Sequence, residues 1–238
     1  MPERCVIRVD GKDVDVSVGG SLAVALLAHG VTRFRTSVGG EPRGPICAMG
    51  ICLECRVTID GVPHRRACLE PCVPGMAVET GAANAVAVAT VAAVGPEPLE
   101  ARVAVVGAGP AGLAAACAAA KALRGGAGVV VLDEGFAAGG QIWRHRAGSG
   151  APAGAAPYLA RLERSGVRVV PGATVVDARD GGRTLLVETR GGTLVVRTEK
   201  LVVATGARER FLPFPGWTLP GVIGLAAATI LLKSEAML

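Results

Sequence analysis

Val6, Val9, Val14, Val16 and Val18 alternate with polar residues around Asp10-Gly11-Lys12. Apolar positions at a period of two, broken by an Asp-Gly turn, predict a β-hairpin. Ser21 is a candidate N-cap for a short helix from Leu22 to Ala28, which Gly30 ends. Arg56–Asp60 followed by Gly61 reads as a strand and a turn, and Met76–Thr80 as a closing strand. Further on, Arg102–Val106 is a continuous apolar run, fit for a parallel strand buried on both faces. A helix is predicted from Pro110 to about Leu123, with proline in its first turn. Gly128–Leu132 is the next strand, Ala156–Ser165 a helix, and Val167–Val170 a strand again. Thr174–Ala178, Thr184–Thr189 and Thr193–Thr198 are separated by Gly181-Gly182 and Gly191-Gly192, which predicts an antiparallel meander. Leu201–Thr205 reads as a final, separate buried strand, and no internal repeat is visible.

The chain has 238 residues, one large domain or two small ones. Half the residues are apolar, yet aromatics are only 3% and glycines number 34. The core is therefore built from closely packed Ala, Val and Leu. This composition argues against disorder and against a nucleic-acid platform of stacked aromatics. The net charge of +5 is spread along the chain. Its densest spots, His64-Arg65-Arg66 and Arg144-His145-Arg146, read as solvated surface. No secretion signal is visible in the first fifteen residues. The weakly polar run Ala82–Val94 is shorter than the roughly 20 residues a membrane helix needs. A cytoplasmic protein without a transmembrane segment is expected. Small residues followed by Pro96-Glu97-Pro98 read as a connector. The expected division is a first domain over 1–81, a linker over 82–100 and a second domain over 101–238.

Six of the seven cysteines lie before residue 73. Without a secretion signal they suggest metal or redox chemistry rather than disulfides. Cys47, Cys52, Cys55 and Cys68 follow a C-x4-C-x2-C…C spacing, that of plant-type 2Fe–2S ferredoxins. Thiolates match iron well, and Gly50 would let the backbone fold closely around the sulfides. A four-cysteine zinc site favours two C-x2-4-C knuckles instead, and a Rieske centre needs two histidine ligands. Cys72 lies four residues after Cys68 and could sit near the cluster; Cys5 and Cys117 read as small buried hydrophobes.

Gly107-Ala108-Gly109-Pro110-Ala111-Gly112 follows a strand and opens a helix, the dinucleotide fingerprint in its required context. Gly107 allows the tight turn, Gly109 the approach of a pyrophosphate, and Gly112 close helix packing. The helix N-terminus offers N–H groups to the anion. Asp133 and Glu134 follow about 20 residues on, as the motif requires. Glu134 is favoured for the ribose hydroxyls as the last on the strand, with Asp133 left open by register. Gly139-Gly140-Gln141 and Ala204-Thr205-Gly206-Ala207 would let backbone run beside a flat ring, with Gln141 meeting its heteroatoms. Together these point to a flavin. No residue stands out as catalytic. His29 sits among apolar residues, and His64 and His145 sit among arginines.

The stretch Gly44–Gly61, with Arg66-Ala67-Cys68 and Gly75-Met76, resembles the small 2Fe–2S domain of heteromeric amine dehydrogenases and oxidases. That family includes opine and proline/hydroxyproline dehydrogenases, sarcosine oxidase α subunits and hydrogen cyanide synthase. Asp133-Glu134…Gly139-Gly140-Gln141-Ile142 and Ala204–Gly221 resemble the FAD domain of the same α subunits. The resemblance implies an α+β ferredoxin-like (β-grasp) domain. An α/β Rossmann-like FAD domain with a β-meander follows, incomplete at its C-terminus. It implies 2Fe–2S and FAD as cofactors, and a catalytic β subunit of the flavin amine oxidase type as partner. The role implied is to pass electrons from an amino-acid-like amine oxidised by that partner. The alternatives are a truncated module that binds only the cluster, with no activity of its own, and a zinc-stabilised binding protein. The chain carries one glycine fingerprint and no later Gly-Asp, so a truncated form or fragment is expected. On that expectation the apolar stretch Val222–Leu232 lacks its usual neighbours, is exposed and promotes association.

Overall fold

The structure, a computed structural model, describes residues 4–81, 97–146 and 150–234. Most of the expected linker, 82–96, lies outside the described residues, as does the run Ala82–Val94. Among the described residues the chain forms two compact units. One comprises 4–81, 145–146, 150 and 208–234, and the other 97–144 and 151–207.

In the first unit, β1 (Arg4–Val9) and β2 (Lys12–Ser17) form the predicted hairpin. β5 (Arg56–Ile59) and β6 (Val62–Arg66) form a second one, and β7 (Ala77–Glu79) lies between the two hairpins. β7 is parallel to β1 and antiparallel to β5, giving the order β2-β1-β7-β5-β6. Both turn aspartates fasten the closing strand. Asp10 accepts from the Thr80 amide and hydroxyl, each at 2.7 Å, and Asp60 from the Ala77 amide at 2.8 Å. A two-residue pair, β3 (Arg35–Thr36) and β4 (Pro42–Arg43), precedes the cysteine loop. It is too short to leave a periodic trace in the sequence. α1 (Leu22–Ala28) starts at Ser21, whose hydroxyl accepts from the Val24 amide. It buries Leu22, Ala23 and Leu26 against the sheet's Ile7, Val57 and Val78.

The second unit is a six-stranded sheet in the order β10-β9-β8-β13-β12-β11. Its strands are β8 (Leu99–Val106), β9 (Val129–Asp133), β10 (Arg168–Pro171), β11 (Thr174–Arg179), β12 (Thr184–Thr189) and β13 (Gly192–Val203). β10, β9 and β8 run parallel, as the unbroken apolar runs predict. Val103, Val105, Val129 and Val131 face α2 (Pro110–Ala122) and α3 (Ala156–Ser165). Ala104, Val130 and Leu132 face the other way, toward Leu185, Val187 and Val196 of the meander. One prediction is corrected. The third meander strand and the final buried strand are a single strand, β13. It pairs antiparallel with β12 through Arg197 and parallel with β8 from Val196 to Val203. Glu199-Lys200 reads as a break because both residues are polar. Both are exposed, and Glu199 reaches Arg102 across the sheet, so the strand runs on through them.

The segment 101–238 also divides differently from expectation. Residues 101–144 and 151–207 build the second unit, whereas the described residues 145–146, 150 and 208–234 join the first. Their α4 (Leu225–Lys233) is not left uncovered. Ala227, Ile230 and Leu231 are buried against Val24, Cys47, Ala48 and Met49, and only the opposite face, with Leu225 and Leu232, is exposed. The expected exposed tail is therefore half of an amphipathic contact. Arg146, read as solvated surface, is buried, with two N–H groups donating to the Val18 carbonyl.

Removing the α1 cap is a direct check of this packing. Ser21→Ala is expected to destabilise the first unit by about 1 kcal/mol, the usual value of a hydroxyl cap, in chemical denaturation followed by circular dichroism. An unchanged midpoint would show that the hydroxyl does not hold the helix start.

Candidate cluster and dinucleotide sites

The cysteine loop is wound by residues with left-handed backbone. Ala48, Gly50 and Leu53 all have positive φ. At Gly50 the reason is space as well as angle. A Cβ there would lie 2.5 Å from the Leu69 Cδ1. This winding turns backbone N–H groups toward sulfur. The Met49 amide donates to the Cys47 sulfur at 3.3 Å. The Ile51 and Cys52 amides act on the same sulfur, and the Glu54 amide on that of Cys52. A hydrogen bond from the Cys52 thiol, aided by those amides, overcomes burial and holds Cys47 down to about 5. Cys52 is pushed up as the proton donor of that pair. Cys55 and Cys68 form a second hydrogen-bonded pair, Cys55 lowered and Cys68 raised. Cys68 also senses the charges of Cys47 and Cys52, so all four sulfurs share one neighbourhood.

The grouping of the sulfurs is the test of what they fit. A tetrahedral zinc site would need all four thiolates on one centre. Two pairs in one electrostatic neighbourhood suit two irons bridged by sulfide, with backbone N–H groups to offset the negative charge. Two residues fasten the loop that the spacing alone did not reveal. Arg35, in β3, pairs with Glu54 at 2.7 Å, and Arg66 donates to the Gly50 carbonyl at 3.2 Å. Arg35 lies in no recognisable motif, and although Arg66 stands in the Arg66-Ala67-Cys68 stretch, nothing local shows that it reaches back to Gly50. Cys72 belongs elsewhere. Its neighbour is Cys5, and burial and that thiol push it up to about 12. Cys117 is buried, as expected, and its thiol donates to the Tyr158 carbonyl at 3.7 Å.

The second site gathers at the C-terminal ends of β8, β9 and β13. Gly109 caps α2, and a Cβ added to it would meet nothing within 4 Å. Gly112 is the opposite case, since its Cβ would run into the Gly107 carbonyl oxygen. The space over Gly109, with the first-turn N–H groups of α2 facing it, is open to an anion. Pro110 and Ala111 form that first turn. Asp133 does not face the open space. Its carboxylate accepts from the Ala108 amide at 2.5 Å and the Gly135 amide at 2.8 Å. Burial pushes its carboxyl up, and those two amides and Arg144 pull it back. Asp133 thus braces the glycine loop through its own amides. Gly139 donates to the Ala108 carbonyl at 2.7 Å and sets Gly140 against Gly109. The Gln141 amide donates to the Ala207 carbonyl at 3.0 Å, which ties that loop to the exposed turn at Thr205-Gly206.

Comparison with known proteins gives matches to both halves. Residues 3–83 match a 2Fe-2S iron-sulfur cluster binding domain. Residues 101–234 match the pyridine nucleotide-disulphide oxidoreductases. An opine oxidase subunit of Agrobacterium tumefaciens is 38% identical over 146 residues, 55% of this chain and 28% of that subunit. The HcnA subunit of hydrogen cyanide synthase from Pseudomonas aeruginosa is 40% identical over 74 residues, 31% of this chain and 71% of that subunit. The crystal structure of L-proline dehydrogenase from P. horikoshii superposes with a TM-score of 0.72 at 22% identity. It covers 98% of this chain and 46% of that one, a likeness of fold. The chain thus spans less than half the length of that structure and less than a third of the opine oxidase subunit.

The ligand assignment separates two cysteines of the same domain. Cys52→Ser is expected to remove most bound iron, because an alkoxide suits iron less well than a thiolate. Cys72→Ser is expected to leave iron content unchanged. Equal loss in both, by iron and sulfide analysis after anaerobic purification, would reject the four-ligand set.

Proposed function

Because the chain belongs to the pyridine nucleotide-disulphide oxidoreductase family and carries a 2Fe–2S binding domain ahead of it, we propose that it is the redox subunit of an amine-oxidising complex. Its substrate electrons come from an amino-acid-like amine of the opine, proline or sarcosine class. A separate catalytic subunit of the flavin amine oxidase type oxidises that amine. The single observation that carries the reading is that one chain builds both cradles, two thiol pairs and an open, N–H-lined loop at Gly109. When bound, FAD accepts two electrons and the cluster one, so the pair converts hydride chemistry into single-electron steps.

The residues themselves bind and orient. Cys47 with Cys52, and Cys55 with Cys68, would each hold one iron. Gly107, Gly109, Pro110, Ala111 and Gly112 would seat the pyrophosphate. Glu134 would accept from the ribose hydroxyls, while Asp133 keeps the loop in shape. Gly140, Gln141, Thr205 and Gly206 would lie beside the ring system. The named subunits among the relatives support a hetero-oligomer. No described helix is long and apolar enough to cross a membrane. A cytoplasmic location belongs to this reading, because free thiols must persist for iron.

Gly109 gives the cleanest test, because the fold tolerates a side chain there and the ligand would not. Gly109→Val is expected to weaken FAD binding by on the order of 100-fold, as loss of charge-assisted phosphate hydrogen bonds would. Its melting temperature and iron content are expected to stay unchanged. Undiminished binding in an FAD titration would reject the phosphate role. Amine-dependent dye reduction is expected only when the partner subunit is added, and turnover by this chain alone would reject that division of labour.

A further inference from the structure

The two thiol pairs are housed by different parts of the chain. Cys55 and Cys68 belong to the core of the ferredoxin-like sheet, packed with Leu26, Phe34, Val57 and Leu69. Cys47 and Cys52 belong to another apolar cluster, whose other half is Ala227, Ile230 and Leu231 of α4. That helix comes from the region matched to the oxidoreductase family, not from the 2Fe–2S domain. Two further contacts fix it there, and a third shapes the segment from within. The Gly224 amide donates to the Ile46 carbonyl at 3.0 Å, next to Cys47. The Glu209 carboxylate accepts from the Leu225 and Ala226 amides at 2.9 and 3.0 Å, which caps α4 with the charge its N-terminus favours. Phe211 and Ile223 pack on the same cluster, and Phe211 stacks on Trp217. Cys47 is fully buried, and this segment covers it.

We propose that residues 208–234 form a clasp that positions the Cys47–Cys52 half of the cluster site and keeps water from it. Leu231 and Ile230 are its seal, the Gly224–Ile46 hydrogen bond ties it to the cysteine loop, and Glu209 caps its helix from within the segment. The inference rests on the cluster reading above and adds that the FAD-type segment completes the iron site. Solvent exposure is one of the levers on the potential of an iron–sulfur centre and on its lifetime. A loosened clasp lets water stabilise the more negative, reduced cluster, which raises the potential.

The test compares the full reconstituted chain with Leu231→Ala, Leu231→Met, Glu209→Gln and the exposed control Leu232→Ala. The readouts are iron release to a chelator, the midpoint potential of the cluster, and thermal melting. Leu231→Ala opens a cavity beside Cys47 and is expected to release iron at least about tenfold faster, with the potential shifted upward. Leu231→Met keeps the volume and is expected to restore both. Glu209→Gln is expected to move both in the same direction by less, and Leu232→Ala to move neither. A folded Leu231→Ala with unaltered iron release and potential overturns the clasp. Should Leu231→Ala not fold, Glu209→Gln decides, and unchanged values there overturn it. An unaltered chain that takes up no iron fails differently, since it rejects the cluster reading itself and the clasp with it.

Discussion

Four cysteine sulfurs gathered in an apolar interior would, as thiolates, carry a charge that only nearby donors can offset, and the first unit is arranged around that demand. The chain winds left-handed three times between Cys47 and Cys55, so that amides and not carbonyls point at sulfur. Winding of that kind needs support, because local propensity opposes it. Support comes from Leu69 filling the space that a side chain at Gly50 would take. It comes also from the ties of Arg35 to Glu54 and of Arg66 to the Gly50 carbonyl. The two hairpins and α1 supply the frame to which those residues are fixed.

The second unit meets a related demand with fewer charges. An anion is to be received by backbone N–H groups, so the backbone must come close and stay bare. Gly112 presses α2 onto the strand ends, and Gly109 leaves the approach open. Asp133 shows how a motif position can be turned to support. Its two oxygens accept from amides of its own chain, and those bonds offset part of the burial that raises its pKa. The low aromatic content suits this design, since Ala-rich α2 can lie close to the sheet.

Residues 208–234 link these two demands in sequence but not in placement. They follow the stretch after β13, which ends at Val203, and their helix packs against the cysteine loop of the first unit. Family matching assigns them to the second half, whereas packing assigns them to the first. An apolar helix face of that kind is satisfied by whatever apolar surface it can reach.

The hairpin at Asp10-Gly11, the helix from Ser21, the parallel strands and the meander were legible because each rests on periodicity and turn chemistry within a few residues. The cysteine spacing and the glycine fingerprint were legible for the same reason, as cofactor geometry dictates short fixed intervals. The pairings of Arg35, Arg66, Glu209 and Leu231 were not, since their partners lie from 16 to well over a hundred residues away and no local pattern encodes such pairs. The fusion of the last meander strand with the buried strand was hidden as well, because exposure of Glu199 and Lys200 depends on neighbours across the sheet. That Asp133 turns inward to two amides of its own chain was hidden for the same reason. Sequence by itself thus determined the elements and the ligand spacing, which obey short-range steric and coordination rules. Tertiary structure alone decided which surfaces close over the iron and which acid braces the loop, because burial is a property of distant segments brought together.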